Sequence, residues 1–173
     1  MNYFLHHFIF VHDSQQFLRF DPLLPLAAVN SLHINCGGDE LTVGTKTYEA
    51  DWDNAGPAMY KKGGSNWAFS NTGHFMDNST SLLYTTKNAT RLYMTNTELY
   101  KNARISPISL TYYGFCLENG KYKLKLHFAE IMFTDDNKFS SLGRRVFDVY
   151  IQFCGPNVGY AAKTCTQVDM IHH

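Results

Sequence analysis

The chain has no excess of charge of either sign: fifteen basic and fifteen acidic side chains cancel, giving a formal net charge of +0 and a pI near 7.1. Proteins that live on phosphate contacts carry a basic surplus, so nucleic acid is not an expected partner. No apolar run approaches the ~18 residues of a membrane span. The nearest candidate, Phe4 to Val11, is interrupted by His6 and His7, and Met1-Asn2-Tyr3 supplies no positive start for a signal peptide. Either a leader lies outside these residues or the protein is not exported. Cysteine is sparse: Cys36, Cys116, Cys154 and Cys165, with no CxxC spacing, which argues against a zinc knuckle or redox pair. Two disulfides, 36–116 and 154–165, are one arrangement and would require an oxidising compartment; four free buried thiols are the other.

Catalytic signatures are absent too. Gly63-Gly64-Ser65 is not a nucleophile elbow, and there is neither a P-loop nor a dinucleotide-binding glycine pattern. Gly37-Gly38 lacks the following helix of a phosphate cradle and reads as a tight turn. Asp135-Asp136-Asn137 lacks the spaced ligands of a calcium loop. The eight His show no metal-ligand spacing on an expected element, so no metal or other cofactor is expected. Glu130 and Asp148 are the remaining carboxylates that could act as a glycosidase pair, with nothing to fix their separation; Glu130 reads better as structural.

What is present is hydrophobic (45%) and aromatic (15%), with thirteen Phe and eleven Tyr against two Trp. At 173 residues this is one domain able to bury a sizeable core. Residues 1–29, broken by Pro22 and Pro25, read as irregular. Ser31 to Cys36 alternates with period two and stops at Gly37-Gly38. Leu41–Val43 and Lys46–Tyr48 form the arms of a hairpin around Gly44. Residues 49–81, rich in Gly, Asn, Ser and Asp, read as a long loop bearing Trp52, Tyr60, Trp67 and Phe69. Short strands are expected at Arg91 to Met94 and Glu98 to Ala103. The strongest signal is Ile108 to Ile131, an antiparallel hairpin about Asn119-Gly120 whose return strand puts Tyr122, Leu124, Leu126 and Phe128 on one face and Lys121, Lys123, Lys125 and His127 on the other. Val146 to Gln152 supplies another strand. No helical stripe occurs, so the fold class is all-β: a sandwich or jelly roll.

Several ordered segments together resemble the malectin domain of plant leucine-rich-repeat receptor-like kinases. They are Ser31 to Gly38, Ser65 to Phe75, Leu99-Tyr100 through Ala103-Arg104, Leu110 to Cys116, Leu126 to Ile131 and Gly143 to Ile151. The resemblance covers about residues 30–152. It implies a jelly-roll-like antiparallel β-sandwich related to carbohydrate-binding modules, on the outer side of the plasma membrane in a parent receptor. Residues 153–173 form a divergent tail, so the family's last strands are expected to be missing. Animal malectin, similar to this family, binds glucosylated glycans through aromatics and an aspartate. Its stacking positions fall here on Ile105, on Met132-Phe133, and near Trp67 or Phe69.

The expected function is non-catalytic binding of an oligosaccharide or glycoprotein glycan, with Trp67, Tyr100, Tyr112 and Phe133 as ligand contacts. The alternative is a module for a peptide or co-receptor with a vestigial sugar site, which Ile105 and Met132 favour. Cys36 and Cys116 are candidate disulfide partners. Asn78 and Asn88, each in an N-x-[ST] sequon, are candidate glycosylation sites.

Overall fold

A computed structural model describes residues 5–13, 29–53, 55–75, 84–88, 97–118, 122–129, 131, 146–151 and 165–172. Among the described residues twelve strands run in chain order: β1 (Leu5–Asp13), β2 (Ile34–Cys36), β3 (Leu41–Val43), β4 (Lys46–Asp51), β5 (Ala58–Lys62), β6 (Trp67–Thr72), β7 (Thr85–Lys87), β8 (Asn102–Arg104), β9 (Ser109–Phe115), β10 (Tyr122–Phe128), β11 (Val146–Ile151) and β12 (Cys165–His172). A single 3₁₀ turn, Thr97–Tyr100, precedes β8, and there is no α-helix among the described residues.

The largest sheet has the order β11-β1-β9-β6-β5; β2-β4-β3, β7-β8 and β10-β12 form smaller ones. Pairing is antiparallel for β5–β6, β6–β9, β3–β4 and β7–β8, and parallel where β1, β2 and β12 join. The core lies between the large sheet and β2. Trp67 and Phe69 from β6 and Leu110 and Tyr112 from β9 cluster with Ala55 and Tyr84, and Leu32, Ile34, Cys36 and Phe75 pack against them. These are layers facing across one apolar interior, the all-β sandwich expected from the strand-rich pattern.

Several local expectations hold. Gly44 starts the two-residue turn between Val43 and Lys46 at φ +62, the positive φ that primed hairpin turns demand. Strand β10 alternates half-buried Tyr122, Leu124, Leu126 and Phe128 with exposed Lys123, Lys125 and His127. Strand β11 falls where Val146 to Gln152 promised one.

Four expectations are corrected. Strands β9 and β10 are not hairpin partners. Both edges of β9 are occupied, by β6 and β1, and β10 pairs with β12. Perfect alternation on each side of a turn signal is equally satisfied when the chain crosses from one sheet to another. The presumed loop at 49–81 holds the end of β4 and the β5–β6 hairpin, with Gly63, Gly64 and Ser65 between its two strands. Residues 1–29 are not wholly irregular. Leu5–Asp13 is rich in aromatic and β-branched residues and pairs parallel with both β9 and β11, and both prolines lie beyond it. The expected strand at Glu98 to Ala103 is split between the 3₁₀ turn and β8, while Arg91 to Met94 lie outside the described residues. The tail beyond Gln152 contributes β12, aligned with β10 from Tyr122 to Phe128.

Gly37 ends β2 at φ +82, and a Cβ there would stand 2.4 Å from the carbonyl carbon of Ala103. Backbone therefore meets backbone where β2 passes β8, and both the torsion and the space require glycine. Gly37→Ala is expected to destabilise the chain by more than ~1 kcal/mol, read as a lower denaturant midpoint at unchanged slope. Gly44→Ala, where the Cβ would meet nothing within 4 Å, should cost less.

Candidate functional site

Three of the four expected ligand contacts lie in the interior. Trp67 is 0% exposed, Tyr112 3% and Tyr100 6%, so none offers a ring face to a ligand. Phe133 lies outside the described residues, as do Met132, Glu130, Asn78 and Asp135-Asp136-Asn137. On a twofold-periodic strand, as for Trp67 and Tyr112, an aromatic reads the same whether its ring fills the core or meets a sugar. Trp67 stands on the inner face of β6, and its indole Nε1 donates to Glu49 Oε2 at 2.8 Å. Its ring lies against Gly63 and Gly64: a Cβ at Gly63 would fall 2.2 Å from the indole, and one at Gly64 1.9 Å from Glu49 Oε2. That contact accounts for Gly63-Gly64, which carries no nucleophile. Tyr100 exchanges a 2.8 Å hydrogen bond with His127 Nδ1 and ties the 3₁₀ turn to β10.

Tyr112 belongs to a buried charged centre. Asp51, at the end of β4, is 2% exposed, and Arg104, at the end of β8, is 6% exposed. Arg104 Nε donates to Asp51 Oδ2 and Nη2 to Oδ1, each at 2.7 Å, a two-pronged clasp. Nη2 also donates to the backbone carbonyls of Asp51 and Asp53. Tyr112 donates its hydroxyl to Asp51 Oδ2 at 2.6 Å, and the Gly37 N–H reaches the same oxygen at 3.2 Å. The Arg104 guanidinium lies 4.2 Å over the Phe69 ring, and its Nη1 has no hydrogen-bond partner among the described residues. Burial raises the Asp51 carboxyl above the ordinary aspartate value, opposed by Arg104, Tyr112 and Gly37. Every group around it is a donor, which only the carboxylate can fully accept. Burial would lower Arg104, but the hydrogen bond and charge of Asp51 outweigh it and the guanidinium is raised. The centre is closed to solvent and holds elements together; it has no open face for chemistry.

Of the carboxylates considered for glycoside chemistry, Asp148 is exposed on β11 and Glu130 lies outside the described residues. No metal-holding group of three or more His, Cys, Asp or Glu occurs among the described residues. Asn88 is half-buried beside β7, its N–H donating to Lys101 O at 2.7 Å. The 36–116 disulfide is not formed: Cys36 and Cys116 are both free thiols, Cys36 packed against the core and Cys116 exposed at φ +54 beyond β9. Neither Cys154 nor the side chain of Cys165 lies within the described residues.

Among the described residues the large aromatics that meet solvent are Trp52, 64% exposed, and Tyr60, 59% exposed, with Met59 at 40% beside them. Tyr60 meets Tyr113 edge-to-face with ring centres 5.7 Å apart, and Tyr113 shares a 3.0 Å hydrogen bond with Ser70. Sequence reasoning noted Trp52 and Tyr60 but did not select them. Their signal is position: Tyr60 alternates out of phase with the core-facing residues opposite it on β6.

Among the described residues the all-β sandwich seals its charged centre and leaves Trp52 and Tyr60 at the surface. The chain belongs to the malectin domain family, whose model matches residues 30–154. It is 52% identical over 128 residues to a probable LRR receptor-like serine/threonine-protein kinase of Arabidopsis thaliana, covering 70% of this chain and 13% of that protein. Two further Arabidopsis relatives described as receptor-like serine/threonine-protein kinases match at 48% over 128 residues (70% of this chain, 12% of theirs) and 44% over 126 (73% and 12%). The chain therefore spans about an eighth of the length of these relatives. No solved structure gives a significant match. No helix among the described residues is long and apolar enough to cross a membrane.

Cys36 gives a pH test of this interior. Burial, then the Asp51 charge, push its thiol from 9.0 to about 12. Because the folded value is raised, its contribution to stability is whole below pH 9 and is lost as pH climbs through about 12, where the folded thiol also ionises. Between those values the unfolded thiol releases its proton and the folded one does not. Unfolding free energy should fall across that window, and more steeply than in Cys36→Ala.

Proposed function

We propose that this domain is a non-catalytic recognition module of a receptor-like kinase ectodomain, displayed on the extracellular side of the plasma membrane and binding a carbohydrate or glycoconjugate. The observation carrying this reading is the exposure of Trp52 and Tyr60 beside hydroxyl-bearing strands, in a domain whose charged centre is sealed. Exposed rings pack on the apolar face of a pyranose while neighbouring hydroxyls answer the sugar's own. The kinase descriptions of the relatives supply the receptor setting. Domains that sense outside the cell and signal through a tethered kinase need to bind, not to turn over, their ligand.

A second reading, docking of a peptide or co-receptor protein, is favoured by the burial of Trp67, Tyr100 and Tyr112 and by the aliphatic side chain at Ile105, where animal malectin stacks a sugar.

An immobilised glycan array probed with the folded, secreted chain separates the two. Saturable binding to a chemically coherent subset of glycans is the expected result. A folded sample, verified by near-UV circular dichroism, that binds none of them would contradict the carbohydrate reading and favour the protein-docking one.

A further inference from the structure

We propose that the free edge of β5, Ala58–Lys62, pairs antiparallel with the same strand of a second copy of this chain, joining two large sheets across a two-fold axis. The pairing goes beyond the ligand reading above and does not depend on it. Strand β5 ends the order β11-β1-β9-β6-β5, so one of its edges has no strand beside it among the described residues. Two backbone bonds fix which groups stand on that edge. The Gly63 N–H donates to Trp67 O at 3.2 Å, and on the far side of β6 the Phe115 N–H donates to Asn66 O at 2.6 Å. Antiparallel ladders alternate bonded and open pairs, so Lys61 with Phe69 and Met59 with Asn71 are the bonded pairs of the β5–β6 register. The N–H and C=O groups of Ala58, Tyr60 and Lys62 therefore point away from β6, toward the open edge.

The exposed apolar side chains gather here. Of the four large hydrophobic residues that stand exposed among the described residues, Met59 and Tyr60 are on β5, and Trp52 is on the loop that Asp53 pins to Lys61 by an ion pair. Tyr60 points to one face of the strand and Met59 to the other, so an added strand would be flanked by apolar groups on both faces. Such an edge is a template for another strand. Self-complementarity selects the occupant. In a two-fold pairing centred on Tyr60, that residue faces the partner's Tyr60, Ala58 faces the partner's Lys62 and Met59 faces the partner's Lys61. The outward groups then meet in phase and close roughly six main-chain hydrogen bonds. No lysine faces a lysine, and Lys61 is already answered by its own Asp53. Sliding the register toward the lysines sets like charges opposite each other, and parallel pairing runs lysine beside lysine. Sliding it the other way shortens the ladder, which Pro57, lacking an N–H, and Gly63, already bonded to Trp67, bound at five residues. A net charge of +0 leaves no long-range repulsion between copies. An interface this short falls below the size of a permanent one, so the contact is reversible, with a Kd of about 0.1–1 mM.

Analytical ultracentrifugation and amide hydrogen exchange by NMR, on the whole 173-residue chain from about 10 μM to about 1 mM, test the pairing. A reversible monomer–dimer equilibrium is expected. On dimerisation the amides of Ala58, Tyr60 and Lys62 should exchange several-fold more slowly, while those of Met59 and Lys61, already bonded to β6, should not change. Tyr60→Pro removes an N–H that faces outward and no bond to β6, so it should fold and raise the dimer Kd about tenfold or more. Tyr60→Phe should dimerise as the wild type does. The exchange pattern of the wild-type chain decides the matter even if the proline variant does not fold. A chain that stays monomeric to 1 mM would overturn the proposal. Dimers without the alternating protection on β5 would overturn it too, since the interface would lie elsewhere. Protection of the same three amides by a short alternating Glu–Val peptide, in a chain that remains monomeric, would make the occupant a foreign acidic strand and overturn the second copy.

Discussion

The arrangement of this domain depends on one buried ion pair, Asp51 with Arg104. Its two partners are 53 residues apart in sequence and end different strands, β4 and β8. Through Asp51 the pair reaches the turn after β2 by the Gly37 N–H and the large sheet by the Tyr112 hydroxyl. Through Arg104 it holds the chain at Asp53 and lies on Phe69. Taking two charges out of water costs several kcal/mol each, so such a pair is weak evidence of net stability. Its effect is on uniqueness. Once Asp51 is inside, only the arrangement that brings Arg104, Tyr112 and the Gly37 turn together satisfies it, and any shift of β4 by one residue would turn the carboxylate to the other face.

That constraint explains why so many aromatics are unavailable to a ligand. Phe69 and Tyr112 lie directly on the pair, and Trp67 packs beside Tyr112 and against two glycines. The domain separates its aromatics by role: inner rings shield a charged centre, and outer ones at Trp52, Tyr60 and Tyr113 meet solvent.

Much of the fold was legible in the sequence, and the exceptions share a cause. Strand β10 could be read residue by residue, since one of its faces is wet and the other is not. The turns at Gly37 and Gly44 were legible because glycine there answers a local demand. Strand β9 was legible as a strand but not in its partners, because period-two alternation fixes faces and says nothing about neighbours. The burial of Trp67 and Tyr112 was hidden for a related reason. Local pattern does not distinguish Tyr112, whose ring is inside, from Tyr113, whose ring is half outside; only their phase relative to β6 does. The Asp51–Arg104 pair was invisible because nothing local to either residue announces the other.

A double-mutant cycle between Asp51 and Arg104 bears most directly on this account. Chemical unfolding of Asp51→Ala, Arg104→Ala and the double variant gives the coupling between the two positions. Each single change leaves an unmatched buried charge and should cost about 3–5 kcal/mol. The double variant should cost far less than their sum, with a coupling of about 2 kcal/mol or more. Additive losses would mean that the two side chains act independently, and the buried pair would not be what organises the fold.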